Sequence, residues 1–148
     1  MNIGGFQKNS LIDFPKTLAC VVFTRGCNFK CPYCHNPELV AGPVKGSGSR
    51  ARNRIHEKEV FSFLERRKGL LQGVVITGGE PTLQPDLAPF LSRVRELGYR
   101  IKLDSNGTRP QVLASLLERG LVDYIAMDIK TSLGNYSRII KEKYTGQN

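Results

Sequence analysis

Three cysteines within eight residues are the clearest chemical feature of this chain. Cys27, Cys31 and Cys34 are separated by three and two residues, so one tight loop can place three thiolates around a metal centre. A cubane iron–sulfur cluster usually takes four cysteine ligands, and structural zinc also has a closed set of four. Three thiolates would leave one iron open to a substrate or cofactor, which indicates catalysis.

Two other residues are candidates for a fourth ligand. Cys20 lies in the apolar stretch 18–24, which is typical of a buried strand, and we interpret it as a small buried hydrophobe. A zinc site that adds His35 has the right number of ligands, but the adjacent Cys34 and His35 would strain a tetrahedron. We therefore favour an iron–sulfur cluster and interpret His35 as a loop residue nearby.

The elements that must position this loop follow from alternating apolar runs and helical periodicity. The runs predict strands at 18–24, 73–77, 100–104 and 123–128. Helices are predicted at 57–67, between Asp86 as N-cap and Gly98, at 110–119, and around Tyr136–Tyr144. A βαβαβαβα order requires a parallel sheet, because right-handed helical crossovers return each strand to the same direction. The predicted fold class is α/β.

Polar residues follow the predicted strands at the edge where parallel sheets gather their active residues. These residues are Gly78, Gly79 and Glu80 after the second strand, Asp104, Ser105 and Asn106 after the third, and Asp128 and Lys130 after the fourth. The glycines lack a Cβ, so the backbone can approach a ligand closely, and Glu80 could accept from a ligand ammonium. The plain alternatives are a strand-to-helix loop for Gly78–Glu80, turn or N-cap roles for Asp104 and Asp128, and a surface cation for Lys130.

The cysteine loop resembles that of the radical S-adenosylmethionine (radical SAM) superfamily, whose C-x3-C-x2-C motif has an aromatic residue, here Tyr33, before the last cysteine. Residues 23–39 and the Ser-Leu-Ile-Asp-Phe-Pro segment at 10–15 are similar to the activases of glycyl-radical enzymes. They are most similar to anaerobic ribonucleoside-triphosphate reductase activating proteins. The resemblance covers about residues 3–130, except 43–55.

This resemblance implies a [4Fe-4S] cluster on Cys27, Cys31 and Cys34, and a bound S-adenosylmethionine. It implies that Gly78, Gly79 and Glu80 hold the amino group of that cofactor. It also implies that Tyr33 and the later strand ends complete the cofactor pocket through Asp104, Ser105, Asn106, Asp128 and Lys130. Ser105 stands where the activases have threonine, and both residues carry a hydroxyl.

The activity implied by the resemblance is reductive cleavage of S-adenosylmethionine to a 5′-deoxyadenosyl radical. That radical would generate a glycyl radical on a partner enzyme, expected to be anaerobic ribonucleotide reductase, with a flavodoxin- or ferredoxin-like protein as electron donor. One alternative is a radical SAM enzyme that acts on a small molecule, such as a 7-carboxy-7-deazaguanine synthase. Another is a noncatalytic metal-binding interaction module.

The length of the chain bears on its domain organisation. With 148 residues, of which 40% are hydrophobic, we expect a single domain. A complete eight-unit barrel takes about 250 residues, or about 31 per βα unit. Radical SAM activases resemble partial barrels of six units, and four are predicted here. We therefore expect a partial (β/α) barrel that is incomplete at its C-terminus, and the alternative is a short form completed by oligomerisation.

The net charge of +9 raises the question of nucleic acid as a partner. Much of it comes from residues 43–55, a Gly-, Ser- and Arg-rich run that we interpret as a flexible basic loop. This run has no aromatic residue for base stacking, which argues against nucleic acid. We also expect no membrane segment and no signal peptide, and clustered thiolate ligands favour the cytoplasm.

Overall fold

The computed structural model describes residues 1–40 and 55–140. Five strands form one sheet in the order β1-β2-β3-β4-β5. Strand β1 pairs antiparallel with β2, and the other neighbouring pairs are parallel. The strands are β1 (Ile3–Ser10), β2 (Ala19–Thr24), β3 (Gly73–Gly78), β4 (Arg100–Ser105) and β5 (Tyr124–Met127).

Residues 1–40 and 55–140 also contain four α-helices and two 3-10 helices. The α-helices are α1 (Pro37–Val40), α2 (Glu57–Arg66), α3 (Leu87–Glu96) and α4 (Pro110–Glu118), and the 3-10 helices are Pro81–Leu83 and Leu133–Arg138. The α/β class and the four predicted strands are confirmed. None of the helices in residues 1–40 and 55–140 is long and apolar enough to cross a membrane.

Strand β1 was missing from the sequence-based prediction, which gave a wholly parallel sheet. Residues 3–10 contain two glycines followed by a polar tail, so they show neither a continuous apolar run nor a clear alternation. The pairing with β2 is also irregular between Ile3 and Gly5 and between Gln7 and Ser10. Pairing with an already buried strand therefore determines the structure of this segment.

The two faces of the sheet have separate cores because successive strand residues point to opposite sides. Cys20 and Val22 belong to the large cluster that the strands form with α2, α3 and α4. Ala19 and Val21 belong to a smaller cluster on the other face, with Phe14 and Val75. Burial on both faces explains why the central strands have nearly continuous apolar sequences.

Three local predictions need correction or fall outside the description. Asp86 occupies the N-cap position of α3 without a side-chain capping bond, and its carboxylate instead pairs with the Met1 ammonium. The helix predicted around Tyr136 is the 3-10 helix Leu133–Arg138, and Tyr144 lies outside the described residues. The predicted basic loop 43–55 also lies outside them, except for Ile55, which forms a β-bridge with Ile3.

Candidate functional site

A cavity of about 380 Å³ opens at the carboxyl ends of the parallel strands. All of the residues predicted for the site line it, and they come from four separate segments of the chain. They are Cys27, Cys31, Tyr33, Cys34, Gly78, Gly79, Glu80, Asp104, Ser105, Asn106, Asp128 and Lys130. The parallel topology thus brings together groups that lie up to about a hundred residues apart in the sequence.

The cysteine loop follows β2 directly, and a buried ring and side-chain hydrogen bonds attach it to the rest of the fold. Phe29 is 1% exposed. The Asn28 side chain donates to the Thr108 hydroxyl at 2.8 Å and accepts from the side-chain amide of Asn106 at 2.8 Å. These bonds attach the loop to the end of β4. Asn28 was not among the predicted site residues, because a polar residue between two ligands has no sequence signal of its own.

The three loop thiols suit a cluster better than a single ion. All four cysteines lie in the described residues, and none forms a disulfide. Within those residues, no three His, Cys, Asp or Glu side chains are close enough to hold one metal ion. The thiolates of a cubane bind different irons and therefore stand further apart than the ligands of one ion. The described residues therefore offer no single-ion site that includes His35, and the three loop cysteines line one cavity as candidate ligands of a cluster.

The glycine pair is required by the cysteine loop itself. A Cβ on Gly79 would lie 2.0 Å from the Gly26 oxygen, and Gly78 has φ +110 with the Thr24 nitrogen 2.4 Å from its Cβ position. The Gly79 amide donates to Thr24 at 2.9 Å, and the Glu80 amide donates to Gly26 at 2.8 Å. The missing Cβ thus allows the close approach of the backbone that leads into the loop. Both glycines also line the cavity, and their contact with a ligand stays a prediction.

Glu80 is buried, with 1% of its surface exposed, and connects two strand ends. Its Oε1 accepts from the amide and the hydroxyl of Thr82 at 3.1 and 2.5 Å and from the Ser105 hydroxyl at 2.9 Å. Its Oε2 accepts from the backbone amide of Asn106 at 2.8 Å. Because each carboxylate oxygen has two lone pairs, Oε2 is the atom with capacity left for a ligand donor.

Asp104 has a cationic partner that sequence reasoning missed. The Lys102 ammonium lies 2.5 Å from Asp104 Oδ1, and Lys102 is only 8% exposed. Residues two apart in a strand share a face, so the Lys-Leu-Asp order in β4 was the available signal. The pair keeps the Asp104 carboxylate at the cavity wall, and its role as a helix N-cap is not observed.

Lys130 contributes a positive charge to the cavity that the thiols line. Its ammonium donates to Asp128 at 2.8 Å. Burial alone would lower the pKa of Lys130, but the hydrogen bond and the charge of Asp128 outweigh it, and the Cys31 thiolate adds to the effect, so the pKa is raised. The ammonium is therefore charged at neutral pH. The cavity thus combines thiol groups, carboxylates and the Lys130 ammonium, which suits a ligand that carries both an amino and a carboxylate group.

Comparisons with known proteins agree with this geometry. A sequence model of the family described as the radical SAM superfamily matches residues 21–148. A candidate glycyl-radical enzyme activating enzyme of Methanocaldococcus jannaschii is 35% identical over 146 residues, covering 98% of this chain and 57% of that protein. A 7-carboxy-7-deazaguanine synthase of Methanopyrus kandleri is 30% identical over 118 residues, covering 71% of this chain and 46% of that protein.

The fold likewise has a match among solved structures. The crystal structure of QueE from Escherichia coli has a TM-score of 0.58 and 20% identity, and the match covers 72% of this chain and 52% of that one. This likeness supports the predicted partial barrel. The chain spans about half the length of the proteins that it matches.

Proposed function

Since this chain belongs to the radical SAM superfamily, whose members use a [4Fe-4S] cluster and S-adenosylmethionine, we propose that it is the catalytic part of a glycyl-radical enzyme activase. The observation that carries the proposal is that Cys27, Cys31 and Cys34 line the same cavity as the polar strand ends. When bound, the cluster and S-adenosylmethionine supply a one-electron cleavage that gives a 5′-deoxyadenosyl radical.

The residues of the chain bind and orient the cofactor in this proposal. The three cysteines hold the cluster, and Glu80 Oε2 accepts from the amino group of S-adenosylmethionine. Lys130, charged at neutral pH, balances the negative charge of the ligand carboxylate and of the thiolates. Tyr33 lines the cavity, and its hydroxyl donates to the Lys130 carbonyl. These contacts would fix the ligand in one orientation.

The partner in this proposal is a glycyl-radical enzyme. Support comes from the M. jannaschii relative, whose name is that of an activating enzyme of such proteins. The resemblance of residues 10–15 and 23–39 favours anaerobic ribonucleotide reductase as that partner. A flavodoxin- or ferredoxin-like protein would supply the electron. We place the protein in the cytoplasm, where thiols stay reduced and can bind iron.

The test begins with anaerobic reconstitution of the natural full-length protein with iron and sulfide. We expect a cluster with broad visible absorption, and 5′-deoxyadenosine after addition of reductant and S-adenosylmethionine. Cys31→Ala should lose both, whereas Cys20→Ala is the matched control and should keep both, because Cys20 lies in the core. If the wild-type protein bound no iron and sulfide, the proposed enzymatic function would be refuted. The noncatalytic interaction module would then be the remaining alternative.

The activase function needs its own measurement. Added to a purified glycyl-radical enzyme, the reconstituted protein should produce the doublet of a glycyl radical in the electron paramagnetic resonance spectrum. The second candidate function is a synthase acting on a small molecule, favoured by the identity to the M. kandleri protein. Cleavage of S-adenosylmethionine without any glycyl-radical signal, together with conversion of a deazapurine precursor, would reject the activase in favour of the synthase.

A further inference from the structure

We propose that Tyr136, in the 3-10 helix after β5, is a positioning residue for the cofactor pocket. Its hydroxyl holds the backbone of Lys130, and its ring holds the cysteine loop through Phe29. Tyr136 would thus set the position of the pocket cation relative to the cluster loop. This inference rests on the proposed function, but part of its test needs no cofactor.

The backbone of Lys130 is held from both sides. Its amide donates to the Tyr136 hydroxyl at 3.2 Å, and its carbonyl accepts from the Tyr33 hydroxyl. Tyr33 belongs to the cysteine loop, and Tyr136 belongs to the 3-10 helix. Lys130 therefore cannot shift without breaking a bond to one of these segments, and its ammonium remains beside Asp128.

The 3-10 helix and the two residues that follow it also contact the cysteine loop directly. The rings of Phe29 and Tyr136 lie 5.8 Å apart at 59°, within the range of favourable aromatic pairs. The Lys30 amide donates to the Ile139 carbonyl at 2.7 Å, and Phe29 forms a β-bridge with Ile140. Tyr136 therefore stands between the two halves of the pocket and touches both.

The location of Tyr136 argues that these contacts serve the site and not the core. None of the six residues of the Leu133–Arg138 helix is buried, and Tyr136 alone is half-buried while the other five are exposed. The main core cluster, on the helix side of the sheet, contains no residue from this segment. Loss of Tyr136 should therefore disturb the pocket and leave the sheet intact.

The hydroxyl is tested with Tyr136→Phe in the reconstituted full-length protein. One backbone hydrogen bond is lost, and we expect the Kd for S-adenosylmethionine to rise about 3–10-fold with unchanged iron content. Tyr124→Phe is the matched control, because within residues 1–40 and 55–140 the Tyr124 hydroxyl has no hydrogen bond, and its Kd should equal that of the wild type. Equal Kd values for both variants would overturn the role of the hydroxyl.

The ring is tested in the cluster-free protein by the rate at which each cysteine is alkylated, mapped by mass spectrometry. In Tyr136→Ala we expect Cys27, Cys31 and Cys34 to react about 5-fold faster than in the wild type, as loss of about 1 kcal/mol of loop anchoring predicts. In Tyr136→Phe these rates should stay at the wild-type value, because the ring remains.

Cys20 reports on the fold in the same experiment. It is fully buried, so it should stay unmodified in every variant. Loop thiols that react at the wild-type rate in Tyr136→Ala would overturn the proposal. A reactive Cys20 would also overturn it, because Tyr136 would then support the whole fold. A wild-type protein that binds no S-adenosylmethionine would refute the proposed function, and the alkylation rates would still decide the anchoring.

Discussion

The four cysteines of this chain differ in chemistry because their surroundings differ. Cys20 lies in the core between sheet and helices, and burial raises its thiol pKa to about 12. The three loop cysteines are half-buried at the cavity. Thiolates bind metals and react, whereas buried thiols are inert. The surroundings of each residue thus separate one structural cysteine from three candidate ligands.

The buried thiol predicts a pH dependence of stability. The pKa of Cys20 is raised from 9.0 to about 12. The stabilisation that the buried neutral thiol gives to the folded state is therefore fully present below pH 9 and is lost as the pH rises towards 12. In that window the free energy of unfolding of the wild type should fall more steeply than that of Cys20→Ala, by about 1.4 kcal/mol per pH unit. Urea unfolding at several alkaline pH values checks this, and parallel slopes would contradict it.

The ion pair of Lys102 and Asp104 predicts an asymmetry between single and double variants. Lys102→Met leaves the Asp104 carboxylate without its cation. Because 25% of the Asp104 side chain is exposed, water offsets part of the loss, and we expect a cost of about 2 kcal/mol. Lys102→Met combined with Asp104→Leu should recover most of the stability, since no unpaired charge remains. Urea unfolding measures both, and a double variant no more stable than the single one would contradict the prediction.

At the scale of elements, the sequence predicted what depends on local pattern. Strands β2 to β4 are buried on both faces, so their apolar runs were unmistakable, and the parallel topology then placed Glu80, Asp104 and Asp128 at one edge. The partners of these residues were harder to predict. The Lys-Leu-Asp order puts Lys102 and Asp104 on one face of β4, but Lys102 resembles any polar strand residue until its burial is known. Tyr136 acquires its role from a tertiary contact.

The contact between the β3 turn and the cysteine loop predicts the effect of a single methyl group. In Gly79→Ala the new Cβ would lie 2.0 Å from the Gly26 oxygen. The backbone segments at Gly79 and Gly26 must therefore move apart, and the hydrogen bond from the Glu80 amide to the Gly26 carbonyl is lost. We expect a loss of about 3 kcal/mol in stability and reduced iron content after reconstitution. The measurements are urea unfolding and an iron assay.

Gly134→Ala is the matched control for this substitution. Its Cβ would meet nothing within 4 Å, so both stability and iron content should stay at the wild-type values. If Gly79→Ala behaved like this control, the glycine pair would not be required for the approach of the two backbones.

At the scale of the whole molecule, the main hydrophobic core and the cofactor site are built from different residues. The main core cluster takes its residues from the strands, from α2 to α4 and from their connections, and none comes from residues 25–36. In the described part of the chain, β5 pairs only with β4. Met127, the last residue of β5, is 59% exposed, and Ile129, two residues further along the chain, is 85% exposed. The side of the pocket formed by β5 and Lys130 therefore depends on local contacts more than on the core.

This separation predicts that the protein stays folded when the cluster is removed. Small zinc domains unfold without metal because their ligands replace a core, but here the buried residues of β2, β3 and β4 pack on helices without help from the cysteine loop. After chelation of iron, far-UV circular dichroism should be unchanged, and unfolding in urea should remain cooperative with a free energy of several kcal/mol. The rate of alkylation should rise at Cys31 after chelation and stay unchanged at Cys20, because only the cysteine loop loses the cluster that it binds. Loss of the cooperative transition on chelation would show instead that the cluster is part of the core.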